Sequence, residues 1–247
     1  MRRFFLVLLC WLLLSPGVWG EASRDWDAVD DVVYSAADKT QNYTDFSILF
    51  WINPDTEGES AQGRMVAVSG TGGYLILFFD TPATNRPKFA VNFGTEKLVT
   101  GSTNGITLDV WQTLAVTFTS SNDDTFLYGV SETACTQQGS QTVNPGTTNI
   151  TSAILLLGAD STTGTFDYDG SIGYIQWWNT RVLTCRELLE ARYFPCSEPN
   201  GLSTCNPIWG DATEVDLSGS GTTLPNITGT TLVGTGPPVS FGHQMPL

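Results

Sequence analysis

From residue 46 onward the chain alternates between apolar and polar positions. In Phe46-Ser-Ile-Leu-Phe-Trp-Ile52, the residues Phe46, Ile48, Phe50 and Ile52 recur at period two, the spacing of a strand with one face in a core. Strand-like runs rich in Thr and aromatic residues follow at 65–69, 74–79, 88–93, 111–118, 125–130, 154–157 and 173–178. Turn residues divide them, as in Gly70-Thr-Gly-Gly73, Pro82-Ala-Thr-Asn-Arg-Pro87 and Ser120-Ser-Asn-Asp-Asp124. One stretch carries helix signals. Thr184-Cys-Arg-Glu187 has the form of a capping box and opens a helix through about Tyr193. Short strands at this spacing with a single helix predict an all-β chain, an antiparallel β-sandwich or barrel, with the helix over one end. Gly70-Thr-Gly-Gly73 leads into a strand rather than a helix, so it is turn chemistry and no phosphate loop.

Composition narrows the function. The chain has 247 residues, 41% hydrophobic and 15% charged, which suits one β-rich domain with a sizeable core, or one domain plus a terminal appendage. With 25 acidic against 11 basic residues and a formal net charge of −14, it lacks the clustered cations that nucleic acid binding needs. A lone histidine, His243, argues against polyhistidine zinc sites and against Ser-His-Asp or Cys-His triads. Residues 1–20 read as a secretory signal peptide: Arg2 and Arg3, an apolar run at 4–14, then Ser15-Pro-Gly-Val-Trp-Gly20 before a cut near Gly20–Glu21. No later segment is apolar enough to insert in a membrane, so a secreted, extracellular protein is expected. The sandwich domain is placed at 21–194. The composition then shifts, and 195–247 reads as a Cys/Pro/Gly-rich segment in which Ile208-Trp209 and Thr231-Leu-Val233 are candidates for added strands.

Cys10 falls in the leader, leaving Cys135, Cys185, Cys196 and Cys205, an even number in an exported chain. A helix from Cys185 sets Cys196 roughly 15 Å away at about 1.5 Å per residue, beyond the about 7 Å that a disulfide tolerates. Cys135–Cys185 with Cys196–Cys205 is favoured, and the crossed pairing Cys135–Cys196 with Cys185–Cys205 stays open. Sequons at Asn42, Asn149 and Asn226 are glycan acceptors in a eukaryotic secretory pathway.

Several segments carry a family resemblance. Asp30-Asp-Val-Val-Tyr34 and Asp45-Phe-Ser-Ile-Leu-Phe-Trp-Ile-Asn-Pro54 resemble the opening strands of a laminin-G-like, concanavalin A-like lectin/glucanase jelly roll. Trp111-Gln-Thr-Leu-Ala-Val-Thr-Phe118 is similar to that family's W-x-x-L-A-V-T-F strand. Thr125-Phe-Leu-Tyr-Gly-Val130 is similar to its hairpin mate, although the usual Asn-Gly turn after it is absent. Leu157-Gly-Ala-Asp160, Phe166-Asp-Tyr-Asp-Gly-Ser-Ile172 and Trp178-Asn-Thr-Arg-Val-Leu-Thr-Cys-Arg-Glu187 fit the later strands and the exit into the helix. The resemblance spans roughly residues 27–194. It implies an extracellular glycan or glycoprotein as partner, and it turns Ile175 and Trp177 to the core. Tyr174, Gln176 and Trp178 are thereby left as the expected ligand-binding face, two rings to stack on sugar and one amide to hydrogen-bond. The stretch Asp216-Leu-Ser-Gly-Ser-Gly221 with Leu232-Val-Gly-Thr-Gly-Pro-Pro238 resembles a segment that usually precedes the first strand, which implies a permuted edge strand within 207–233.

Catalysis in this chain would have to come from carboxylates. Glucanases of this fold place E-x-D-x-E or E-x-D-x-x-E on one strand, with two carboxyl groups about 5 Å apart. Glu214-Val-Asp216 lacks the third member and Asp167-Tyr-Asp169 lacks a glutamate, so no catalytic residue is assigned and a non-catalytic binder is expected. Asp160, Asp167 and Asp169 flank a short Ser/Thr/Gly connection and are the candidate Ca²⁺ ligands, because calcium takes six to eight oxygens from such loops. They do not form an EF-hand, since position 176 is Gln where a bidentate Glu belongs. The remaining function classes are a glycan hydrolase or lyase and a protein–protein or coat module.

Overall fold

The period-two runs become strands of two antiparallel sheets. A computed structural model describes residues 23–27, 29, 31–36, 39–80, 84–163, 166–197, 199–208, 213–214, 216–218, 223–233 and 236–238. The leader expected at 1–20, Trp209 and His243 lie outside the described residues. The first sheet runs in the order β11 (Cys135–Thr142), β10 (Asp124–Val130), β9 (Gln112–Thr119), β4 (Phe46–Pro54), β13 (Asp169–Asn179), β1 (Ser23–Asp27) and β16 (Thr231–Val233). A further strand of this sheet, β14 (Leu202–Pro207), pairs with β13 beyond β1. The second sheet runs β15 (Asn226–Thr228), β2 (Val32–Tyr34), β12 (Ile150–Leu157), β5 (Arg64–Thr71), β6 (Gly73–Phe79), β7 (Pro87–Asn92) and β8 (Glu96–Thr100). Here β3 (Lys39–Gln41) pairs with β12.

The inward residues of both sheets share one core. Phe46, Ile48, Phe50 and Ile52 of β4 meet Val66 and Val68 of β5 and Leu75, Leu77 and Phe79 of β6, all of them buried. Ile175 and Trp177 of β13 also face this core, as the resemblance implied. The other face of β4 is not wet. Leu49 and Trp51 are buried beneath α1 (Cys185–Tyr193), together with Tyr174, Trp178, Leu183, Leu188 and Ala191. Thr184 caps this helix as the sequence pattern predicts. Its hydroxyl accepts from Glu187 N at 3.4 Å while Glu187 accepts from Thr184 N at 2.7 Å. That backbone donation, with the Thr184 hydroxyl and Arg181, holds the Glu187 carboxyl below its usual range.

Two disulfides fasten the helix to the sheet. Cys135–Cys185 joins its first residue to edge strand β11, with Cα atoms 5.5 Å apart, and Cys196–Cys205 joins the following turn to β14 at 5.9 Å. This is the favoured pairing of the two that the sequence left open.

The C-terminal segment adds β14, β15 and β16 to the two sheets, so chain beyond 195 continues the sandwich. β16 pairs with β1 and β15 with β2, which puts tail strands beside the N-terminal ones in both layers. Arg24 in β1 and Glu214 in the tail form an ion pair at 2.6 Å, with side chains only 7% and 1% exposed. Arg24 also donates to Thr230 Oγ1 at 3.1 Å. Pro237 packs on Gly173, where a Cβ would lie 2.5 Å from its ring.

Removing one partner of a buried ion pair leaves a desolvated charge, so Glu214→Ala should cost about 3–5 kcal/mol in urea denaturation. Glu214→Gln, which keeps a hydrogen-bond acceptor, should lose less. A second test concerns Gly158, whose φ is +86° and where a Cβ would lie 1.9 Å from Trp26 Nε1. Gly158→Ala meets both the left-handed backbone penalty and the indole, an expected loss of about 2–4 kcal/mol. Wild-type denaturation midpoints in either alanine variant would contradict this packing.

Candidate ligand-binding cleft

A cleft of about 90 Å³ opens between β3 of one sheet and β14 of the other. Lys39, Thr40 and Gln41 form one wall, and Asn179, Ser203 and Thr204 the opposite one. Val68, Leu155 and Trp177 make the floor, at 3%, 2% and 6% exposure, and all three belong to the main core. Strand alternation explains the placement. Trp177 points inward from β13, and Asn179, two residues on, follows it to the strand end. β14 lies alongside, with Thr204 opposite Trp177 and Ser203 Oγ donating to Trp177 O at 3.0 Å.

Polar groups converge at the rim. Gln41 Nε2 donates to Asn42 O at 2.9 Å and reaches Asn179 Oδ1 across the cleft at 3.4 Å. Gln41 Oε1 and Asn179 Nδ2 keep no partner among the described residues, and neither does the buried indole Nε1 of Trp177. The lining contains one lysine and no carboxylate, in a chain with 25 acidic residues. Sequence reasoning missed this site. Its residues come from five separate stretches, and the only local signal was the polar run Lys39-Thr-Gln41 beside the Asn42 sequon.

The expected ligand-binding face is corrected by the structure. Tyr174, Gln176 and Trp178 are 1%, 0% and 0% exposed beneath α1, out of reach of a sugar. Tyr174 Oη donates to Arg192 O at 2.6 Å and accepts from Trp51 Nε1 at 2.5 Å. Burial raises its phenol well above the usual range. Gln176 Nε2 donates to Ala191 O at 2.9 Å, and its Oε1 accepts from Cys196 N at 2.8 Å. These groups dock the helix. The Arg192 guanidinium lies over the rings of Trp51 at 4.4 Å and Tyr193 at 4.7 Å.

The three candidate calcium ligands do not converge. Asp160 faces Arg64 at 3.5 Å, and Arg64 is itself held over the rings of Phe78 and Phe166 at 4.3 and 4.6 Å. Asp169 accepts from Thr56 Oγ1 at 2.6 Å. Asp167 is buried, with its backbone tied to Glu59. Among the described residues no three of His, Cys, Asp or Glu are grouped to hold a metal. Glu214 and Asp216, the nearest approach to a hydrolase motif, are engaged as well: Glu214 by Arg24, and Asp216 by Cys205 N and Ser218. Asn42 and Asn149 are exposed, and Asn149 Oδ1 accepts from Tyr43 N at 2.9 Å. Asn226 lies in β15, with its side chain outside the described residues.

An acidic rim forms at the other end of β13. Burial raises the Asp25 carboxyl, helped by Asp169 and Asp27, and burial also raises Asp55, helped by Asp25, Asp169 and Asp109. Asp31, 2% exposed, is pushed up to about 6 by burial and by Asp27, against the donation from Asp27 N at 2.7 Å. β13 has 11 residues between rim and cleft, roughly 30 Å at strand rise.

Comparisons with known proteins fit this architecture. A family profile described as the concanavalin A-like lectin/glucanases superfamily matches residues 27–188. No curated protein sequence matches the chain significantly. Among solved structures, the native heptameric SAP-like pentraxin of Limulus polyphemus is similar at TM-score 0.60 and 11% identity, covering 91% of this chain and 99% of the pentraxin. Tailspike protein 2 of the Escherichia coli O157:H7 bacteriophage CAB120 is similar at 0.56 and 14%, over 79% of this chain and 28% of the tailspike. The CBM40 of the Ruminococcus gnavus IT-sialidase, solved bound to α2,3-sialyllactose, is similar at 0.52 and 13%, over 68% and 96%. At such identities the likeness is one of fold.

The rim generates a pH dependence. Asp31 takes a proton near pH 6 in the folded chain against an ordinary 3.8, so its protonation stabilises the fold fully below 3.8 and that contribution is lost as pH rises through about 6. Asp25 and Asp55 act in the same direction. The melting temperature should therefore fall by a few degrees between about pH 5 and pH 7, and Asp31→Asn should flatten that slope. A melting temperature that rises across this interval would contradict the assignment.

Proposed function

The chain belongs to the concanavalin A-like lectin/glucanases superfamily, and on that footing we propose that it is an exported, non-catalytic module that binds extracellular glycans or glycoproteins at the cleft between β3 and β14. The observation that carries the reading is the rim: Gln41 Oε1 and Asn179 Nδ2, an acceptor and a donor, have no partner among the described residues and stand beside a tryptophan floor. Sugars are recognised by such amide pairs working with an aromatic surface. Export is supported by the two disulfides and by the charged, then apolar pattern of residues 1–20. No helix among the described residues is long and apolar enough to cross a membrane.

A hydrolase of this fold is the second reading, because the superfamily description names glucanases beside lectins. It needs two carboxyl groups flanking the bond to be cut. None lines the cleft, so a bound glycan should be recovered unchanged after prolonged incubation.

A glycan array with and without chelator is the test. Gln41→Ala and Asn179→Ala should each weaken binding about tenfold, the loss of one or two hydrogen bonds at about 1 kcal/mol each, while Asp169→Asn at the distant rim should bind as wild type. Chelator should change nothing, since the lining offers no hard anionic ligand. Absence of binding to every glycan, or full binding by both rim variants, would sink the proposal. Steady release of reducing sugar would favour the enzyme.

A further inference from the structure

The dimensions of the cleft say which part of a ligand can enter it. An apolar cavity of about 150 Å³ is what one benzene ring occupies. At about 90 Å³ the cleft is smaller than that, so a whole sugar ring does not fit inside. Val68, Leu155 and Trp177 give it an apolar floor, and Thr40, Gln41, Asn179, Ser203 and Thr204 line it with hydroxyls and amides. Behind Val68 lies a second void of about 10 Å³ with only apolar lining, including Phe50, Leu77 and Phe89. Val68 belongs to both linings, so it is the partition between cleft and core gap. A void this size is at the lower limit for one water and offers it no polar partner, so it is dry.

The polar inventory adds a second requirement. Asn179 Nδ2, on the cleft wall, has no partner among the described residues. A ligand that satisfies this donor carries an acceptor beside its apolar part.

We propose that the cleft recognises a sugar through a short acyl substituent. The acyl chain lies on Val68, Leu155 and Trp177, its carbonyl oxygen accepts from Asn179 Nδ2, and the ring stays outside against Gln41 and Thr40. This rests on the glycan-binding reading and names the ligand class for the same site. A plain hexose fills only the rim. An acylated one also removes apolar surface from water, worth about a fourfold gain in affinity per methylene buried.

The experiment is calorimetric titration of the full chain with glucosamine and its N-acetyl, N-butanoyl and N-hexanoyl derivatives. Affinity should climb about fourfold per methylene until the floor is covered and then level off. Thr40→Trp, a change at an exposed rim position, should plug the mouth and remove the dependence on chain length. Val68→Ala merges cleft and core gap and should move the plateau to a longer chain. If that variant does not fold, Thr40→Trp still decides the matter. Equal affinity for glucosamine and all its acyl derivatives would overturn the inference and leave the glycan reading standing. Binding of short-chain fatty acids as tightly as the acylated sugars would also overturn it. No binding of any sugar here or on the array would bring down both.

Discussion

The central strands β4 and β13 must be dry on both faces, and most of the structure follows from that. Nearly every residue of β4 is buried, and all of β13 except its two ends. The inner face is covered by the second sheet and the outer one by a single nine-residue helix. A helix that short is marginal alone. It is held instead by a capping box, by Tyr174 and Gln176 bonding its last-turn carbonyls, and by disulfides at its first residue and just past its end. Residues that would make a sugar platform on an open sheet are consumed in docking the helix. The broad face of the first sheet is thereby closed, and the gap that remains lies between β3 and β14.

That constraint also explains what the sequence could and could not disclose. Period two identified the inner face of β4 and the sandwich, because a core-facing strand is a local pattern. The capping box located the helix for the same reason, and its length narrowed the cysteine pairing. In β13 alternation separates Tyr174, Gln176 and Trp178 from Ile175 and Trp177, yet nothing in the strand states which face a distant helix will cover. The aspartates fail similarly. Asp160 and Asp169 stand nine residues apart in sequence, but Asp160 answers Arg64 on β5 and Asp169 answers Thr56 after β4. Partners roughly a hundred residues away, one a cation and one a hydroxyl, leave no trace in local spacing.

The tail shows a further kind of illegibility. Thr231-Leu-Val233 was readable as a candidate strand, and the order of motifs hinted at a rearranged edge. Its anchor was not readable: Arg24 and Glu214 are 190 positions apart, and each alone looks like a surface charge. Buried together, they make the N-terminal strand and the C-terminal segment depend on one another. β1 is thereby paired on both sides, by β13 and β16, and does not stand as a free edge, the ordinary liability of an open sandwich.

The net charge of −14 is not spread evenly over the fold. Asp25, Asp55, Asp109 and Asp169 crowd one rim, where burial and mutual repulsion raise Asp25 and Asp55. The cleft is at the far end of β13, roughly 30 Å away, whereas charges are screened over about 8 Å in physiological salt. The field at the cleft is therefore set by its own wall, which holds Lys39 and no carboxylate. Separating the crowded carboxylates from the cleft along the longest strand lets the chain keep a strongly charged rim while the cleft lining holds no carboxylate.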